Sequence, residues 1–126
     1  MKKALRSSET PEPIGPYSAG ISHGDLIFTS GQIALDKHGK LTEGGIKEQT
    51  KRVLENLKSL LDENGSSLDH AVKATVFLKD MNDFAGMNEV FAEYFKTSKP
   101  ARSTVEVSRL PKDVLVLIDL IAVKSD

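Results

Sequence analysis

Cysteine is absent from this chain of 126 residues. That removes disulfides, thiolate nucleophiles and cysteine-ligated metal sites together. Tryptophan is absent as well, so five phenylalanines and two tyrosines supply all the aromatic area. An excess of one charge is also missing: 17 basic and 18 acidic side chains leave a net charge of -1. Such a balance gives no electrostatic footprint for nucleic acid or for an anionic membrane surface. No apolar run approaches the roughly 18 residues of a membrane span. The opening "MKKALRSSETPEP" has lysines but lacks the apolar centre of a secretory signal. These absences predict a cytoplasmic protein without membrane association.

Motif absences narrow the chemistry further. His23, His38 and His70 fall in predicted turns without ligand spacing, so no metal site is expected. No phosphate-binding or dinucleotide-binding loop occurs, and no cofactor is expected. Ser30, in "TSGQ", has no nearby histidine in sequence to activate it, which argues against a serine hydrolase.

What is present fits one domain over residues 1–126, with 39% hydrophobic and 28% charged residues. "TPEPIGPYS" (10–18) is a Pro- and Gly-rich loop feeding a strand. "SAGIS" (18–22) and "LIFTSGQIAL" (26–35) are β-type runs around the hairpin signal "HGD". From Ile46 to Asn64, apolar residues at 46, 53, 54, 57, 60 and 61 make one helical stripe, ended by Asn64-Gly65. "AVKATVFLK" (71–79) reads as a strand, and 82–95 as a second helix with Asn82 as its N-cap. Strands over 103–108 and 114–123 complete a β-β-α-β-α-β-β order, with room for an extra N-terminal strand. This is an α+β fold: a mixed sheet with two helices on one face.

The last strand, "VLVLIDLIAV" (114–123), carries a second message. Nine of its ten residues are apolar, and both faces are affected, with Asp119 the exception. Two helices cover one face of a sheet, so the other face needs a cover of its own. Another copy of the chain or a folded-over loop would supply it. The polar loop at 36–45 is a poor candidate, which favours homo-oligomerisation.

Three residues invite a functional reading. Arg102 follows Pro100-Ala101 at a strand start, where a guanidinium could grip a carboxylate bidentately. The alternative is a solvated surface arginine. Tyr17, after Gly15-Pro16, is either a packed loop anchor or a hydroxyl donor. Asn88, beside the apolar stripe of the second helix, is either a helix-edge hydrogen-bonding group or part of a site.

Beyond this point the segments "IGPYS" (14–18), "TSGQI" (29–33), "VKATVFLKDMNDFAGMNEVFAEYF" (72–95) and "PARSTVEVSRLPKDVL" (100–115) carry a resemblance along nearly the whole chain. Together they resemble the RidA (YjgF, L-PSP) family of reactive-intermediate deaminases. The resemblance implies a chorismate-mutase-like (ferredoxin-like) α+β fold assembled as a homotrimer, with sites in the clefts between subunits. It implies hydrolysis of 2-imino acids (2-iminopropanoate and 2-iminobutanoate, from enamines such as 2-aminoacrylate) to 2-oxo acids and ammonia. By similarity Arg102 binds the substrate carboxylate, Tyr17, Ser30, Gly31 and Asn88 line the cleft, and backbone near Gly31 and Thr104 orients the substrate. Position 104 is often cysteine in the family, and the reaction needs no thiol.

One departure bears on catalysis. Where the family usually reads Glu-Ile-Glu, this chain has Leu117, Ile118 and Asp119. Leucine cannot hold a water or accept its proton. Asp119 matches the second acidic position, about 7 Å along the same face. It either takes over the water or pairs with an interface arginine or hydroxyl. Three functions follow in order: an imine deaminase; a trimer that binds 2-oxo acids or related carboxylates as a sensor; and an endoribonuclease or translation inhibitor. The charge balance argues against the last.

Overall fold

A computed structural model describes residues 1–125. The strands are β1 (Lys2–Leu5), β2 (Gly20–His23), β3 (Leu26–Thr29), β4 (Ala71–Leu78), β5 (Ala101–Glu106) and β6 (Val116–Val123). The helices are α1 (Ile46–Asp62) and α2 (Phe84–Tyr94). The strands form one sheet in the order β1-β2-β3-β6-β4-β5. Every pairing is antiparallel except β4 with β5, which are joined by the α2 crossover and run parallel. The extra N-terminal strand is therefore present. Gly24, at φ 61, takes the first corner of the β2–β3 hairpin, where a mirror-image turn needs positive φ.

Sequence periodicity explains the core. Val53, Leu54, Leu57, Leu60 and Leu61 of α1 are fully buried against Val116, Ile118, Leu120 and Ala122 of β6 and Ala74, Val76 and Leu78 of β4. Met87, Val90 and Phe91 of α2 join the same cluster, so both helices cover one face. Truncating any of the buried leucines would cost about 2–5 kcal/mol. At the start of α1 the Glu48 carboxylate accepts from Gly45 N–H at 2.8 Å. At its end Gly65 turns the chain at φ 79, and Ser66 N–H donates back to the Leu61 carbonyl at 3.0 Å.

Several boundaries move for physical reasons. The run 26–35 is not one strand: it breaks at Ser30, and Gln32 rejoins the sheet through a single bridge to Ile118. The second helix begins at Phe84 after a tight turn over Met81–Asp83. Asp80 caps that turn, accepting from Asn82 N–H at 2.8 Å, so Asn82 is the donor and not the cap. β5 begins at Ala101, which puts Arg102 inside the strand. β6 begins at Val116, because Lys112 and Asp113 sit at φ 54 and 55 in the turn before it.

The other face of β6 carries Leu117, Asp119, Ile121 and Val123, all half-buried within the chain. Segment 31–35 runs over its Leu117 end. Beyond that no helix lies on it, and Phe28 and Val105 on the same face remain 40% and 43% exposed. Among the described residues, no loop covers this face as a whole.

Candidate functional site

The structure sorts the candidate residues into two groups on opposite faces of the sheet. The first is built on β5 and α2. Arg102 and Thr104 stand beside Ala74 and Val76 in the parallel register, on the helix-covered face at the sheet's edge. Arg102 Nη1 donates to Asn88 Oδ1 at 2.8 Å. Its guanidinium carbon lies 4.8 Å from the ring centroid of Phe91 and 5.5 Å from that of Phe84. Two aromatic faces and one amide thus fix a cation that forms no ion pair among the described residues. Thr104 Oγ1 is buried with no hydrogen-bond partner among the described residues. A planar, oriented, unneutralised guanidinium is suited to a carboxylate.

The second group lies where the loop before β2 meets the end of β3. A cavity of about 420 Å³ is lined by Pro13, Ile14, Tyr17, Gly31, Ile33 and Leu117, among others. Gly15 at φ 123 lets the chain bend there, and Tyr17 N–H donates to its carbonyl at 2.9 Å. Ser30 holds the two segments together. Its Oγ donates to the Ser18 carbonyl at 2.6 Å and its N–H to the Ala19 carbonyl at 2.9 Å. The serine hydroxyl is thereby committed to positioning the Tyr17 loop. Gly31 faces Leu117 so closely that a β-carbon there would stand 2.9 Å from Leu117 Cγ.

Asp119 points to the helix-free face, two residues beyond Leu117 and opposite Thr75. Its carboxylate makes no hydrogen bond or ion pair among the described residues. Burial pushes its carboxyl above the ordinary value of 3.8, and the charge of Lys73 works against that shift. Lys73 itself donates to Ser103 Oγ at 2.8 Å.

Within one chain, then, Tyr17, Ser30, Gly31 and Leu117 come together, and so do Arg102, Asn88 and Thr104. The two groups do not meet. Two supporting residues escaped the sequence reading. Gln49 Oε1 accepts from Leu115 N–H at 2.9 Å, and Asn56 Nδ2 donates to the Leu35 carbonyl at 2.8 Å. Both are buried side chains of α1, and Asn56 thereby tethers Leu35, which lines the cavity. Asn56 lies three residues from Val53 and four from Leu60, so a polar residue on the apolar stripe was the available signal.

No group of His, Cys, Asp and Glu suited to a metal ion occurs among the described residues, and no helix is long and apolar enough to cross a membrane.

Residues 7–124 match the family described as Endoribonuclease L-PSP. A RutC family protein of Pyrococcus abyssi is 57% identical over 124 residues, 98% of each chain. A Thermotoga maritima crystal structure superposes with a TM-score of 0.96 at 46% identity, covering 100% of both chains. The protein named "Putative reactive intermediate deaminase TdcF" in Escherichia coli is 41% identical over 99% of each chain. Its crystal structure with bound serine gives a TM-score of 0.92 at 40% identity, over 98% of this chain and 99% of that one.

Proposed function

From the premise that the chain belongs to the L-PSP (RidA, YjgF) family, we propose that it hydrolyses 2-imino acids to 2-oxo acids and ammonia. In this reading it works as a cytoplasmic homotrimer of chorismate-mutase-like subunits, and needs no cofactor. The observation that carries the reading is Arg102, clamped by Asn88 and two phenylalanine rings at an open sheet edge and forming no ion pair among the described residues. A relative of the same fold has serine bound, and serine carries the carboxylate that such an arginine would grip.

The separation of the two groups supports an assembled site. Arg102, Asn88 and Thr104 of one subunit would face Tyr17, Ser30 and Gly31 of the next, with the helix-free sheet face as the contact between copies. Burying that face removes exposed apolar surface, worth roughly 25 cal/mol per Å².

The reaction asks little of the protein. Water adds to C2 of the imine, the C=N π electrons move to nitrogen, and a carbinolamine forms. The C–N bond then breaks as the carbinolamine hydroxyl gives up its proton and nitrogen gains one, so that C=O forms and the 2-oxo acid and ammonia are left. Arg102 anchors the carboxylate and so fixes C2 in the cleft. Asp119 is the acid closest along β6 to the apolar position 117. A carboxylate whose pKa is raised is the stronger base once ionised, and Asp119 takes the water's proton in this reading.

Leu117 favours a second reading, because no water can be held by its side chain. In that reading the same cleft binds 2-oxo acids or related carboxylates without turning imines over.

A coupled assay separates the two. A PLP-dependent dehydratase generates the imine from serine or threonine, and its decay is followed with this protein, with Arg102→Ala, and with neither. Acceleration that requires Arg102 supports the deaminase. Acceleration that survives Arg102→Ala sinks the proposed site. No acceleration, with 2-oxobutanoate bound, leaves the binding protein.

A further inference from the structure

The cavity beside Leu117 is larger than a small imino acid needs. Its volume of about 420 Å³ holds on the order of ten waters, and falls within the range of ligand pockets. A methyl or ethyl side chain would leave most of it unfilled.

Its walls are mainly hydrocarbon. Ile14, Ile33, Leu35, Pro11 and Pro13 line it, and Leu117 packs on Gly31. The charged residues, Glu12 and Lys112, are exposed at the rim, and Glu12 faces Arg6 at 3.6 Å. Leucine at position 117 thus does two things: it removes an acid from the cleft and extends an apolar wall. A wall of this kind rejects a charged or strongly polar side chain, which would lose its water without gaining a partner.

We propose that this cavity receives the substrate's side chain and selects imino acids with bulky apolar side chains, the class derived from leucine or phenylalanine, over those with methyl or ethyl. The inference rests on the deaminase reading above and deepens it. Each methylene well seated in an apolar pocket is worth about tenfold in discrimination. Because this cavity is partly open, the leucine-derived imine should exceed the alanine-derived one by at least about tenfold in kcat/KM.

The test supplies imines from L-alanine, L-leucine and L-phenylalanine with an L-amino-acid oxidase, catalase removing the peroxide. Formation of 2-oxo acid is followed with the wild type, Leu117→Ala and Ile14→Asp. Ile14 is 86% exposed at the lip, so its substitution leaves the fold intact while placing a carboxylate at the entrance. The expected result is a leucine-to-alanine ratio of about tenfold or more that falls severalfold in both variants. A wild-type ratio near one, or in favour of alanine, overturns the inference and leaves the deaminase reading standing. If no imine is turned over, the deaminase reading fails, and calorimetry with 4-methyl-2-oxopentanoate and pyruvate decides the cavity's role. Tenfold tighter binding of the branched acid sustains it, and equal binding removes it.

Discussion

Arg102 Nη1 donates to Asn88 Oδ1 across 2.8 Å, joining an edge strand to the helix that crosses over to it. The bond sets the plane of the guanidinium, while Phe91 and Phe84 lie within cation–π range of it. Arg102→Ala should abolish imine hydrolysis. Arg102→Lys should lose about tenfold or more, because an ammonium has neither the fork nor the stacking plane. Asn88→Ala should act through KM more than kcat, raising it about tenfold, the scale of one hydrogen bond to a charged group. Steady-state kinetics on the three variants check the pattern. An unchanged KM in Asn88→Ala would remove its positioning role.

Gly31 and Leu117 form a second coupled pair. A β-carbon on Gly31 would stand 2.9 Å from Leu117 Cγ, so the leucine must shift to admit it. Gly31→Ala should destabilise by about 1–3 kcal/mol. Leu117→Ala should relieve part of that strain in the double variant, with a coupling of about 0.5 kcal/mol or more. Urea unfolding of the four proteins measures it, and strict additivity would deny the contact.

Leu117→Glu should speed hydrolysis of the small serine-derived imine by about tenfold or more, since a placed general base contributes on the order of a hundredfold. The same change makes one wall of the cavity polar. The coupled dehydratase assay reads the gain directly. Slower hydrolysis by the Leu117→Glu variant would mean that water is delivered from elsewhere.

Much of the architecture was legible because local periodicity encodes it. The α1 stripe follows a 3.6-residue period, the presence of only two helices announced a sheet covered by them on one side, and the two apolar faces of β6 called for a further cover on the other. The site was legible in part. Arg102 stood out through the Pro100-Ala101 that precede it, and the resemblance supplied its role. The cavity did not stand out, because its lining comes from the segments 11–17, 31–39, 111–112 and position 117, which lie far apart in sequence and which only the tertiary fold brings together. Asn56 and Gln49 were hidden for the same reason: their partners are 21 and 66 residues away. The break at Ser30 also escaped notice, because the serine's bonds run to Ser18 and Ala19 in another segment.

Asp119 should make stability fall with rising pH. Burial raises its folded pKa above the ordinary 3.8, so the native state holds the proton more tightly than the unfolded chain. Below about pH 4 both states are protonated and the penalty vanishes. Above the raised value the folded protein carries an ionised carboxylate on an apolar face. Asp119→Asn should therefore raise Tm at pH 7, with a gain that shrinks on acidification. Thermal unfolding of both proteins from pH 3.5 to 8 tests the sign. A lower Tm for Asp119→Asn at neutral pH would instead mark Asp119 as a paired carboxylate.

Glu63 should behave in the opposite sense. Its carboxylate, just past the end of α1, accepts from Ser7 Oγ and from the N–H and Oγ of Ser8, which clasps the N-terminal segment to the helix. The Ser7 and Ser8 bonds hold its carboxyl below the usual range. A lowered folded pKa stabilises above the unfolded value and is lost as pH falls through the folded one. Pro11, Glu12, Pro13, Ile14 and Tyr17, which line the cavity, lie a few residues beyond this clasp. Glu63→Gln should therefore raise hydrogen exchange at the Ser8 amide by several-fold at pH 7, and acidification below about pH 4 should do the same to the wild type. Exchange at Ser8 that is indifferent to both changes would show that the β1–β2 pairing alone holds the segment. An effect on exchange accompanied by a rise in KM for imine would tie the clasp to the cavity it leads into.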